Sequence, residues 1–147
     1  MKIRKATTED IKPLTELFDS YRVFYNKKSD KLAAEIFLFE RILNHDSVIF
    51  LAEDADGRLA GFVQLYPLFS STRMKKLWLL NDLYVKPELR GKGISKLLIN
   101  ASKKLCVTSN SVGMMLETAQ SNMVGNNLYQ KTGFQLDSEH NYYCWDV

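Results

Sequence analysis

Asn81-Asp82-Leu83-Tyr84-Val85-Lys86-Pro87-Glu88-Leu89-Arg90-Gly91-Lys92-Gly93-Ile94-Ser95 reads as a buried strand, a short turn marked by proline, and a glycine-bearing loop that runs straight into a helix. Ile94, Leu97, Leu98, Ala101 and Leu105 recur at helical spacing, so the helix is expected to begin close to Gly91 or Gly93. Such an opening leaves unpaired amide N–H groups at the positive end of the helix dipole, which suits an anion and most naturally a phosphate. Arg90 and Lys92 add positive charge at its mouth. From these residues alone, a loop that merely turns a strand into a helix remains the other reading. The dinucleotide fingerprint lacks its third glycine here, and the ATP-type loop lacks Ser or Thr after Gly-Lys.

The strand before this loop, Lys76 to Val85, is apolar on both faces and is expected to be central. Asn81 and Asp82 interrupt it. Two adjacent polar residues in a buried strand are costly unless they are paired or used. A β-bulge that splays the strand and frees backbone groups for a ligand is one resolution, and a structural hydrogen-bonded pair is the other.

Outward from this stretch, Lys2 to Ala6 is a strand, and Thr7 with Asp10 resembles a capping box. Ile11, Leu14, Leu17, Phe18 and Tyr21 then form one face of a helix closed by Phe24 and Tyr25. Tyr21 and Tyr25 are one turn apart. After a polar connection, Ser29 or Asp30 caps a second helix whose face is drawn from Leu32, Ile36, Phe39 and Leu43. Ser47 to Glu53 and Arg58 to Tyr66 form a hairpin around Asp54-Ala55-Asp56-Gly57, with Pro67 as its end and a polar loop to Lys75. Beyond the Gly-loop helix come a strand over Val112 to Thr118 and a helix capped by Ser121. That helix runs to Thr132, with Gly133 at the left-handed position that follows it. Tyr142-Tyr143-Cys144-Trp145 reads as a last strand, which offers an edge for a homodimer.

The 147 residues suit one domain, 1–147. A net charge of +3 with no contiguous basic run argues against nucleic acid as a partner. No apolar run approaches the roughly 18–20 residues that cross a bilayer, and Met-Lys-Ile-Arg-Lys lacks a signal-peptide core. Cys106 and Cys144 show no metal or redox spacing and read as buried free thiols, so no metal and a cytoplasmic setting are expected. His45 and His140 are unpaired as ligands.

Taken together, the order of elements resembles the GNAT superfamily of acetyl-coenzyme-A-dependent N-acetyltransferases over essentially the whole chain. Two signatures carry the likeness. The superfamily loop, Gln or Arg, two residues, Gly, one residue, Gly or Ala, is met by Arg90-Gly91-Lys92-Gly93-Ile94-Ser95 with Ser95 at the last place. The second, Asn-x-x-Ala-x-x-Leu-Tyr followed by Gly-Phe, is met by Asn122, Leu128, Tyr129, Gly133 and Phe134, with Gly125 in place of Ala. Asn81 to Val85 with Tyr21 to Tyr25 looks like the yeast histone and polyamine acetyltransferase type and its bacterial relatives.

The resemblance implies a mixed α/β (α+β) fold. It would have a largely antiparallel twisted sheet of six to seven strands with four helices on its faces, in the order β-α-α-β-β-β-α-β-α-β-β. It also implies direct attack of a primary amine, as in a polyamine, amino acid or peptide, on the thioester of acetyl-CoA. The cofactor-binding residues would be Leu83, Tyr84, Val85, Arg90, Gly91, Lys92, Gly93, Ile94, Ser95, Asn122 and Tyr129. Leu83 and Val85 would pair by backbone with the pantetheine arm, an N–H near Leu83 would face the oxyanion, and Asn122 would bind the pantetheine amide. Tyr129 would be the general acid, against the alternative of a core aromatic.

A primary alkyl amine of pKa about 10.4 is neutral in only about one part in a few thousand at pH 7, so a lysine-like or polyamine acceptor needs a base. Asp82 is the acidic residue on the central strand and the candidate for base or amine anchor, directly or through water. Tyr21 and Tyr25 are candidate walls of the acceptor pocket, with ordinary helix packing as the alternative. A non-catalytic acetyl-CoA sensor on the same fold, and a structural domain that binds nothing, are the rival functions.

Overall fold

In the computed structural model, which describes residues 1–147, the backbone divides into two compact units, Met1–Glu117 and Thr118–Val147. The first is built on five strands in sequential order: β1 (Lys2–Lys5), β2 (Val48–Glu53), β3 (Leu59–Ser70), β4 (Lys75–Val85) and β5 (Met114–Met115). The first four pair antiparallel, and β5 joins β4 in parallel. Helices α1 (Ile11–Phe24) and α2 (Lys31–Leu43) lie between β1 and β2, and α3 (Ile94–Thr108) follows β4.

Side-chain alternation splits the sheet into two buried faces. Ile49, Leu51, Phe62 and Tyr84 pack with Leu14, Leu17 and Phe18 of α1 and with Ala34 and Leu38 of α2. Val63 and Leu65 fall on the opposite face, where α3 contacts β2, β3 and β4 and buries Ile94, Leu98 and Ile99. Asp19 stitches α1 to α2: its carboxylate accepts from the Ser29 hydroxyl at 2.6 Å and from the Asp30 amide at 2.9 Å, which holds its pKa down despite burial. The Asp30 side chain in turn caps α2 by accepting from the Ala33 amide.

Several expectations are corrected. Leu32, Ile36, Phe39 and Leu43 sit on the exposed side of α2, and Ala34 and Leu38 face the core, with Phe37 stacked on Phe18 at 5.7 Å. Strand β3 does not stop at Pro67 but continues to Ser70. Pairing with β2 ends at Leu65, so Pro67 stands in a segment with a partner on one side only, where a missing N–H is tolerated. The strand expected over Val112 to Thr118 is two residues long. The sheet has five strands rather than six or seven, within the mixed α/β class expected. Cys106 and Cys144 are free, but Cys144 is exposed.

The second unit holds α4 (Met123–Lys131), whose N-cap is Asn122 and not Ser121. At its C-terminus Gly133 adopts φ +85°. The Gly133 amide donates to the Gln130 carbonyl and the Phe134 amide to that of Tyr129, both at 3.0 Å, and the rings of Phe134 and Tyr129 meet edge to face at 5.7 Å. That is a complete Schellman ending with its apolar clasp. The terminal aromatic stretch forms no strand: Tyr142, Tyr143 and Trp145 are exposed, and this unit holds no second strand to pair with them.

Candidate active site

Strand β4 is bulged where its two polar residues stand. Gln64 of β3 faces Asp82, whereas the next residue, Leu65, faces Leu80, so Asn81 is the extra residue. Pairing with β5 covers only Trp78 and Leu79, so beyond the bulge one edge of β4 carries no strand. The direction of its backbone groups follows from the ladder. The Lys86 amide donates to the Ala60 carbonyl, and antiparallel pairs alternate, so the N–H and C=O groups of Leu83 and Val85 point away from β3 toward the open edge. Gly61 is needed opposite this segment, because a Cβ there would stand 2.5 Å from the Tyr84 carbonyl oxygen.

The open edge leads into the loop. Gly91 and Gly93 take φ of +77° and +79°, and Gly93 is the N-cap of α3. A Cβ at either would meet nothing within 4 Å, so backbone conformation rather than crowding asks for glycine there. No side chain caps α3, and its first turn contains no acidic residue. An anion can therefore approach these amides without competition from the chain itself. Lys92 is exposed at this mouth, while Ile94 turns into the core and Ser95 is half-buried.

Arg90 behaves differently from a free phosphate charge. Its Nε donates to the Val85 carbonyl at 3.0 Å, and its guanidinium lies 4.9 Å from the Phe24 ring and 5.6 Å from that of Tyr84. Tyr84 is buried, with its ring among Tyr21, Phe24 and Phe62 and its backbone paired toward β3. Arg90 thus ties the loop to the last turn of α1.

On the α1 face of the bulge lies a buried polar group. Asp82 is 5% exposed, and burial raises its carboxyl above the ordinary carboxylate range. Hydrogen bonds from the Tyr21 hydroxyl and from Asn81 Nδ2, the latter at 3.1 Å, work against that rise. The ring of Tyr21 packs on Phe62, Tyr84 and the half-exposed Tyr25, the last at 5.0 Å. Three further members carry no motif. Gln64 is fully buried and donates to the Ser47 hydroxyl at 2.9 Å, and its Oε1 has no partner. The Tyr66 phenol is pushed up to about 12, first by burial and then by the charge of Asp82. Gln64 was visible in sequence as the one polar side chain in Leu59 to Leu65.

In the second unit, the Asn122 side chain is engaged at both ends. Oδ1 accepts from the Gly125 amide and Nδ2 donates to the Thr118 hydroxyl, each at 3.0 Å. A Cβ on Gly125 would lie 2.5 Å from that Nδ2, which accounts for glycine at this place. Tyr129 lies on the same helix, oriented by the clasp with Phe134.

Known proteins share this architecture. The uncharacterized N-acetyltransferase YhfO of Bacillus subtilis is 41% identical over 147 residues, which is all of this chain and 98% of that one. A spermidine N(1)-acetyltransferase of Thermoplasma acidophilum is 26% identical over 93% of this chain and 89% of its own length. A crystal structure of a probable acetyltransferase superposes with a TM-score of 0.96 at 36% identity, covering 100% of this chain and 98% of that one. The acetyltransferase (GNAT) family matches residues 12–134. A match of that length, joined to a relative aligned from end to end, makes this chain an acyltransferase that belongs to the GNAT family.

Proposed function

We propose that the protein transfers an acetyl group from acetyl-CoA to a primary amine by direct attack, acting as one catalytic domain in the cytoplasm. The observation that carries this reading is the open edge of β4, where the outward backbone groups of Leu83 and the outward N–H of Val85 lead into the uncapped amides of α3. An extended amide-bearing arm ending in a pyrophosphate matches that sequence of groups: a strand-like ladder first, an anion site second. The helix dipole contributes about 0.3–1 kcal/mol to the anion.

When bound, acetyl-CoA supplies a thioester carbonyl and a thiolate leaving group. The chain supplies the rest. The outward N–H at Leu83 is a donor for the oxygen on which charge develops, a contact typically worth about 3 kcal/mol. Asp82 accepts a proton from the acceptor's ammonium and so frees the amine lone pair for attack, and a carboxyl raised by burial is a better base than an ordinary one. Tyr21 holds that carboxyl, and with Tyr25 it lines the approach with aromatic faces that suit a cationic amine. Asn122 is assigned to the pantetheine amide and Tyr129 to proton donation toward sulfur, both on their places in the second motif. An aliphatic amine of the polyamine or lysine type is the preferred acceptor, since it is the class that most needs a base. A relative named spermidine N(1)-acetyltransferase supports that choice.

The test is release of free thiol from acetyl-CoA with a panel of polyamines, amino acids and peptide amines. Thiol release with an aliphatic amine, lowered in Tyr129→Phe with coenzyme A affinity retained, is the expected result. Tight coenzyme A binding without thiol release for any amine makes the protein a sensor and overturns the reading.

A further inference from the structure

We propose that Gln64 is a positioning residue whose amide oxygen receives the proton-bearing oxygen of Asp82, so that the buried carboxyl can hold a proton between turnovers. This rests on Asp82 as the base of the proposed reaction. Gln64 and Asp82 face one another at the bulge, on the side of the sheet that also carries Phe62 and Tyr84. Gln64 is completely buried, and its Nε2 is committed to the Ser47 hydroxyl. Its Oε1 has no partner, and a buried acceptor left unpaired is costly enough to require an account.

The groups around Asp82 complete that account. Tyr21 from α1 and Asn81 from β4 are both donors to the carboxylate, so they serve its charged form. Once the carboxylate has taken a proton from an ammonium, it needs an acceptor for its new O–H, and the orphan Gln64 oxygen is one on the same face. The N–H bond of the ammonium breaks and the O–H bond of the acid forms; the proton then leaves to water after product departs. The other titratable groups facing this cluster are Tyr66 from β3, Arg41 from α2 and Asp46 just beyond it. Tyr66 stays protonated through the neutral range, and Arg41 and Asp46 form their own ion pair at 2.9 Å.

The test is the titration of the Asp82 carboxyl by carbon NMR in the free protein, which does not depend on acetyl transfer. Gln64→Met removes the acceptor at similar volume. Ser47→Ala is the second variant, because it releases the amide to turn its NH2 toward the carboxylate. Both are expected to move the Asp82 titration to lower pH, with the acidic limb of the kcat/KM profile moving the same way. An unmoved titration in both variants reduces Gln64 to packing and overturns the proposal. An upward shift in Gln64→Met means that the amide already presents its NH2 to Asp82, which overturns it too. A downward shift of the titration with no change in the rate profile separates the two readings: Gln64 holds the proton, and Asp82 is not the base.

Discussion

The hydroxyl of Tyr21 donates to the carboxylate of Asp82 across the gap between α1 and the bulge of β4. The ring of the same residue is wedged against Phe62 and Tyr84 at 5.7 and 6.0 Å, so one side chain both packs the core and opposes the effect of burial on the acid. Tyr21→Phe keeps the packing and removes only the donor. The carboxyl should then titrate still higher, because burial acts with less opposition. The expected result is an acidic limb of kcat/KM displaced to higher pH, with the melting temperature lowered at neutral pH, where the carboxylate has lost a donor, and less so as pH falls. A limb that stays in place would show that the phenol has no bearing on the base.

Asp82 itself should trade stability for function. A carboxyl whose folded pKa is raised binds its proton more tightly when folded than when unfolded. Its contribution to stability therefore falls as pH rises from the unfolded value of 3.8 through the folded one. At neutral pH the charged group is a net cost. Asp82→Asn removes the charge but keeps an acceptor for Tyr21, and should gain about 1 kcal/mol, or roughly 3 °C in Tm. The gain should shrink as pH falls through the raised folded value, where the wild-type carboxyl becomes neutral as well. Amine acetylation should fall by about 100-fold or more. Thermal melts at two pH values, beside a thiol-release assay, check both halves; equal gains at both pH values would refute the linkage.

Much of this could be read in the residues, and for physical reasons. The adjacent polar pair Asn81-Asp82 in an apolar strand pointed to a bulge or a hydrogen-bonded pair, and the structure holds both. Gly133-Phe134 after an apolar turn required a left-handed ending, and the full Schellman pattern is there. Periodicity failed on α2, because that helix is apolar on two sides: Leu32, Ile36, Phe39 and Leu43 on one, Ala34, Phe37, Leu38 and Ile42 on the other. The side taken by the core was set by the partner across α1, Phe18, which a one-dimensional pattern does not contain. The same limit applies to Gln64. Its significance lies in the strand it faces, not in its neighbours along the chain.

Arg90 makes a separable prediction about charge and shape. Read as a phosphate contact, it would be replaceable in part by lysine. Read from its hydrogen bond to the Val85 carbonyl and its place over Phe24 and Tyr84, it is a strut that fixes the loop, and a planar donor is essential. Arg90→Lys and Arg90→Met should then be impaired alike, each losing about 1–2 kcal/mol of stability and raising the KM for acetyl-CoA several-fold. Denaturant melts and acetyl-CoA titrations of the two variants decide it. Near-normal acetyl-CoA affinity in Arg90→Lys, with collapse in Arg90→Met, would return the residue to a simple point charge.

Gly125 stands where the superfamily motif has alanine, and the Asn122 side chain occupies the space a methyl group would need, with Nδ2 2.5 Å and Cγ 2.9 Å from the Cβ position. Gly125→Ala gains helix propensity of up to about 1 kcal/mol. It must also push Asn122 off the Gly125 amide, and losing an N-cap costs about the same. The two nearly cancel, so stability is expected to stay within about 0.5 kcal/mol of wild type. Function should not be silent. If Asn122 binds the pantetheine amide, its displacement raises the KM for acetyl-CoA while leaving kcat nearly unaltered, since a uniform binding contact is what is lost. The Asn122 side-chain amide resonance reports the displacement independently of activity. A shifted resonance with an unaltered KM would confine Asn122 to capping α4 and remove it from the cofactor site.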